Sequence, residues 1–170
     1  MKSLPLILSV FAATAASANV HFQAVGRPSA IRIDGDAEPV VSEKTSWKNG
    51  KFSGTFHVPL DSITTGIAMR DRHTKEKYLE TAKYPTADYV VKDCALNVGE
   101  STCDGSLTLH GVTKSIQLKF AVTEGAPKQL KVSTDFSLKL SDYGIAIPTF
   151  ANITVADEVK VHVDSETAKP

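Results

Sequence analysis

The side chains able to do chemistry are few, and their densest grouping is Met69-Arg70-Asp71-Arg72-His73, preceded by Thr64-Thr65-Gly66-Ile67. Arginines and a histidine at that spacing can form a cationic rim that meets a polar or anionic headgroup. Arg70, Arg72 and His73 are the candidates for that contact. A structural reading weighs more. In it Asp71 caps a helix and Arg70 pairs with a buried carboxylate, an ion pair that fixes geometry. A third reading makes His73 and Asp71 the working groups of a hydrolase or isomerase, which requires both in one cleft with room for substrate.

Other chemistry lacks its spacing. The five histidines, His21, His57, His73, His110 and His162, form no His-x-x-x-His pair, and no Cys-x-x-Cys accompanies them. His57 and His162 fall on the polar phase of their strands. His110 stands at a strand end beside Gly111, where a turn-stabilising hydrogen bond is expected. There is no Gly-x-Ser-x-Gly elbow and no Gly-rich loop opening a helix. The leading reading therefore names no catalytic residue and no metal ligand.

Cys94 and Cys103 flank Asn97-Val98-Gly99-Glu100, a turn-like stretch. With Val98 and Gly99 at the turn, residue 97 faces 100 and Cys94 faces Cys103 across a hairpin. A disulfide there would contribute roughly 2–3 kcal/mol by loop closure. A redox pair usually has the closer Cys-x-x-Cys spacing beside a helix, so a structural staple is the favoured reading.

Behind these residues stands a chain of 170 residues, 42% hydrophobic, with 19 basic and 19 acidic side chains. That length favours one domain. Zero net charge offers no excess to neutralise phosphates and argues against nucleic acid as a partner. Lys2, the apolar run Leu4–Ala16 and the small-x-small site Ala16-Ser17-Ala18 read as a secretory signal peptide over residues 1–18. A single domain is then expected over 19–170, in the periplasm or secreted, where disulfides persist.

Apolar residues recur with period two. Phe52, Phe56, Val58 and Leu60 share a face, as do Leu107 with Leu109, and Ile116, Leu118, Phe120 with Val122. Leu130, Val132, Phe136, Leu138 and Leu140 form another stripe, and Val159, Val161 and Val163 a last one. Weaker strands are expected at 31–33, around 40–47 and at 89–96, with one more near 20–22. Asn49-Gly50, His110-Gly111 and Gly125-Ala126-Pro127 mark turns between them. Residues 71–83 break the pattern and read as a surface helix, with Tyr78, Leu79 and Ala82 on one face and Tyr84-Pro85 as its end. The tail after Val163 is expected to fray. About eight alternating strands point to an all-β antiparallel sandwich or closed barrel.

Several ordered blocks carry a resemblance. They are Thr64-Thr65-Gly66-Ile67, Arg70-Asp71-x-His73, Lys77-Tyr78-Leu79, Lys83-Tyr84-Pro85-x-Ala87, Gly105-x-Leu107-x-Leu109-His110-Gly111-Val112-Thr113-Lys114, Asp142-Tyr143-Gly144-Ile145 and Asp157-x-Val159. Together the set resembles the YceI-like proteins. The resemblance implies a lipocalin-like antiparallel β-barrel, with one short helix between strands, that holds a long isoprenoid, quinone-like or fatty-acyl chain and needs no other cofactor. The N-terminal Gly26-Arg27-Pro28-Ser29 departs from the family's usual opening.

An interior lined by Leu, Val, Ile and Phe suits an apolar guest, since it offers little to ordered water. The expected lining is Phe56, Val58 and Leu60, then Leu107, Leu109, Ile116, Leu118 and Phe120, then Phe136 and Leu138. Ile67, Met69, Tyr78 and Tyr143 are expected at the mouth. The expected partners are the lipid and a membrane in transient contact, with a homodimer left open. The alternative to a lipid carrier is a secreted β domain whose core is filled and whose function is protein interaction.

Overall fold

The computed structural model of the chain describes residues 18–28, 30–150 and 152–169. Of the leader expected over 1–18, only Ala18 is among them; residues 1–17 lie outside the described residues. Among the described residues eleven strands join in one antiparallel sheet. They are β1 (Ala18–Arg27), β2 (Ile31–Ala37), β3 (Val41–Lys48), β4 (Lys51–Pro59), β5 (Thr86–Cys94), β6 (Gly99–Leu109), β7 (Val112–Glu124), β8 (Gln129–Lys139), β9 (Thr149–Phe150), β10 (Ile153–Val155) and β11 (Glu158–Ala168). The sheet order is β3-β4-β5-β6-β7-β8-β11-β1, with β2 along the far side of β1 and the short β10 and β9 continuing from its end. This is the lipocalin-like barrel expected.

The turn chemistry sets the register. Asn49 and Gly50 both take positive φ, and Lys48 pairs with Lys51 and Trp47 with Phe52. His110 and Gly111 do the same between Leu109 and Val112. Such two-residue turns match the strands' own twist. With register fixed, alternation drives every second side chain inward. The β8 stripe crosses one polar position, Thr134. It stays buried because its hydroxyl donates to the Lys119 carbonyl of β7 at 2.8 Å.

The curled sheet meets itself through single hydrogen bonds, so the closed barrel expected is an open one. Among the described residues no ladder joins β2 to β3. Instead the Val40 N–H donates to Ala18 O at 3.4 Å, and the Trp47 indole donates to Ala168 O at 2.9 Å. Ala168 lies beyond the point where β1 begins opposite Ser165, so its carbonyl faces the seam and the indole satisfies it. The tail is likewise not frayed: β11 pairs with β8 through Ala168.

The hairpin of the two cysteines is also irregular. The β5–β6 register runs from Asp88 opposite Thr108 to Val91 opposite Gly105, which continued evenly would set Cys94 against residue 102. Asp93 has φ 51, and the β4–β5 register slips beside it. The extra residue realigns Cys94 with Cys103, and the disulfide forms with the Cα atoms 5.4 Å apart. Residue 97 meets Ser101 rather than Glu100: the Ser101 hydroxyl accepts from Asn97 N–H at 2.9 Å and donates to its carbonyl at 3.2 Å.

The helical segment starts earlier and ends sooner than expected. Helix α1 spans Ala68–His73 and continues as a π-turn over Thr74–Tyr78. It stops because Glu80 takes φ 47, left-handed backbone that cannot extend a helix. Tyr78, Leu79 and Thr81 are buried, whereas Ala82 is exposed.

Gly105 carries a specific load. It faces inward on β6, and a Cβ there would lie 2.6 Å from the Tyr89 ring and hydroxyl. The β5 tyrosine therefore lies across the gap that β6 leaves bare, an aromatic covering a glycine. Gly105→Ala is expected to cost about 1–2 kcal/mol by forcing that ring off its rotamer. Chemical denaturation measures it, and an unchanged midpoint would contradict the contact.

Candidate ligand-binding cavity

The inner face does not fill itself. It encloses a cavity of about 510 Å³, within the ~300–1,000 Å³ range of small-molecule sites. Its walls come from nearly every strand. Phe56 and Val58 project from β4 and Leu60 from the 3-10 turn that follows it. Leu107 and Leu109 belong to β6, Ile116, Leu118 and Phe120 to β7, Phe136 and Leu138 to β8; all line the space. So do Ile67, Met69 and Tyr78 near the helical segment.

Sequence reasoning left out a whole wall. Val20, Phe22 and Ala24 of β1, Ile33 of β2, and Val159, Val161 and Val163 of β11 also line the cavity. The β11 stripe is plain in the sequence, and its parity would have placed it. On β1 the alternation Val20, Phe22, Ala24 is short and ends at Gly26, and β2 has Gly35 at an inward position.

One expected lining residue, Tyr143, lies elsewhere. Tyr143 is buried but does not line the cavity. It sits on the 3-10 turn Ser141–Tyr143, where strand alternation no longer governs direction, with Lys114 Nζ 5.8 Å from its ring centre. Arg72 is exposed and does not line the cavity either. Two residues along a helix is more than half a turn, so Arg70 and Arg72 leave α1 on different sides.

At the mouth the Thr64–Ile67 segment runs beside β2, joined by a bridge between Asp36 and Thr64 with both N–H···O distances 2.9 Å. Arg70 lines the cavity but pairs with no buried carboxylate. Its Nε donates to Thr65 Oγ1 at 2.7 Å and its Nη2 to Thr65 O at 2.8 Å. Asp71 is not the helix N-cap, since α1 begins three residues before it. Its carboxylate accepts from the Thr65 N–H at 2.8 Å, from the Thr64 hydroxyl at 3.1 Å and from the Thr65 hydroxyl. Both oxygens are engaged in holding the turn. His73 also lines the cavity. Opposite them, Tyr78 donates its hydroxyl to Thr149 O at 3.2 Å and accepts from Thr149 N–H at 3.1 Å, which ties the π-turn to β9.

Burial raises the Asp71 pKa, but the Thr65 and Thr64 hydrogen bonds outweigh it and hold the carboxyl below the usual value. A carboxyl lowered in the folded state adds stability above its unfolded pKa and loses it as pH falls through the folded one. Asp71→Asn should therefore lower stability by about 1 kcal/mol at neutral pH and flatten the acid limb. Urea unfolding at neutral and acid pH reads it; an equal loss at both would contradict the assignment.

Deep inside, polar groups are scarce. The Tyr89 hydroxyl is buried with no hydrogen-bond partner, and burial, with Asp104 adding, pushes its pKa up to about 12. Phe52, Phe56 and Tyr89 continue an aromatic row from Trp47, near the disulfide. The histidines on the outer face pair with cross-strand aspartates: His21 with Asp36 at 2.8 Å, His57 with Asp88 at 2.6 Å, His162 with Asp135 at 2.8 Å. His110 bridges turns as expected, its Nδ1 3.3 Å from Tyr143 O and its Nε2 2.8 Å from Glu80. Among the described residues no cluster of His, Cys, Asp or Glu has the geometry of a metal site, and no helix is long and apolar enough to cross a membrane.

An antiparallel barrel built around an apolar hold, with polar groups gathered at a helical mouth, defines a lipocalin-like architecture. The family follows from comparison: the YceI-like domain matches residues 11–167, and the chain belongs to that family. A UPF0312 protein of Pseudomonas syringae pv. syringae is 40% identical over 96 residues, 51% of this chain and 49% of that protein. Another from Pseudomonas putida is 31% identical over 128 residues, 68% of this chain and 66% of that protein. The chain thus matches about half the length of the first of these relatives. Among solved structures, BcnA of Burkholderia cenocepacia superposes with TM-score 0.72 at 18% identity, covering 88% of this chain and 96% of BcnA. A polyisoprenoid binding domain from Saccharophagus degradans, implicated in plant cell wall breakdown, gives 0.73 at 18% identity, covering 92% and 99%. At such identity the likeness is one of fold.

Proposed function

We propose that the chain is an exported binding protein that holds a long-chain isoprenoid, quinone-like or fatty-acyl lipid inside its barrel, carrying or sequestering it without chemistry. The observation that carries this reading is the 510 Å³ apolar cavity. A core filled by its own side chains, as a pure interaction module requires, would leave no such space. Each methylene moved from water into the cavity contributes about 0.8 kcal/mol, so tail length alone can supply firm binding. The polyisoprenoid-binding structural neighbour supports the same class of guest. The engagement of both Asp71 oxygens by Thr64 and Thr65 counts against a His73–Asp71 hydrolase. Export to the periplasm or beyond is proposed from the Lys2-to-Ala18 leader pattern and agrees with the disulfide.

Lipid-free protein offered polyprenols, quinones and fatty amides, then separated and extracted with organic solvent, tests the reading. Recovery of one class at about one lipid per chain is expected. Recovery of none would overturn it.

A further inference from the structure

The mouth carries more than a cavity entrance needs. Ile31, Ile67 and Met69 line the cavity yet are 40%, 53% and 55% exposed. Large apolar side chains left this exposed beside a cavity are costly in water unless something covers them. Immediately beside them, residues 70–77 hold Arg70, Arg72, Lys75 and Lys77 against Asp71 and Glu76, a local cationic excess on a chain of zero net charge. The Asp71 carboxylate is occupied by Thr64 and Thr65, and Arg72 and Lys77 are exposed. Apolar side chains flanked by cations are the pattern of a segment lying in a bilayer interface, with the apolar groups at the acyl boundary and the cations among phosphates.

We infer that this rim docks on an anionic phospholipid bilayer, with Ile67 and Met69 entering it and Arg72 and Lys77 meeting lipid phosphates. The inference rests on the cavity being a lipid hold, and it adds where the lipid enters. Ile67 and Met69, which enter the bilayer, also line the cavity, so a tail leaves one apolar medium for another without crossing water. The charge of the rim selects a bilayer surface over a second copy of this chain, which would bring the same cations face to face.

Co-sedimentation with vesicles tests it. Phosphatidylglycerol–phosphatidylcholine vesicles should bind the protein and phosphatidylcholine vesicles should not, with the binding lost at high salt. Arg72→Glu with Lys77→Glu should weaken binding by at least about tenfold. Those two side chains do not line the cavity, and near-UV circular dichroism should show that the double variant keeps the fold and the Tyr78 ring beside Lys77 in place. Ile67→Ser with Met69→Ser should also lose vesicle binding, with near-UV circular dichroism confirming the fold. Equal binding to both vesicle types, undiminished binding by the charge variant, or a rim buried in a dimer without vesicles would overturn the inference. Protein that takes up a fluorescent fatty acid added from solution but binds no vesicle would overturn docking and leave the cavity reading standing. Protein that does neither would overturn both.

Discussion

Replacing Ile116 with Trp is expected to lower affinity for a long-chain lipid by about a hundredfold while leaving the fold intact. Ile116 lines the cavity from β7, opposite Gly105, and is only partly buried, because part of its surface faces empty space. An indole there has somewhere to go. It would occupy room for about four methylenes, each contributing about 0.8 kcal/mol, which amounts to roughly two powers of ten in affinity. Leu118 is a poorer choice: it is 5% exposed and pairs with Cys103, so a larger ring overpacks the wall. Titration with a fluorescent fatty acid reads the loss and thermal unfolding checks the fold. Undiminished affinity in a folded variant would mean that the lipid lies elsewhere.

The second large effect is on stability. Cys94→Ser with Cys103→Ser is expected to cost about 2–3 kcal/mol, because the bridge closes a short loop in the unfolded chain. Its geometry depends on the extra residue at Asp93, without which Cys94 would fall out of step with Cys103. The same loss should follow reduction of the wild-type protein. Denaturation midpoints that coincide with and without reductant would contradict a stapling role.

What could be read from the sequence was whatever obeys a strict period. Phe56, Val58, Leu107, Leu109, Ile116 and Phe136 sit on the cavity because strand parity leaves them nowhere else to point. The Asn49-Gly50 and His110-Gly111 turns were equally legible, since positive φ at both positions is what those residues tolerate. The failures sit where the period breaks. Tyr143 lies past the end of β8, and its direction comes from a 3-10 turn. The helix boundaries were displaced because Asp71 resembles an N-cap while actually bonding backwards to Thr65. A strand is expected near 20–22, but its short run does not by itself put Val20 and Phe22 on the cavity; Phe22 lies over Gly35 of β2, where a Cβ would fall 2.3 Å from its ring. The contact of edge strand β3 with the end of β11 is made by Trp47 and Ala168, 121 residues apart, and no local pattern encodes it.

The measurement that bears most directly on the account is native mass spectrometry of the protein taken from its own host without detergent. A population heavier than the polypeptide by the mass of one long-chain lipid is expected, released as the lipid on collisional activation. A single species at the polypeptide mass, in protein that also takes up none of the lipids offered, would contradict it.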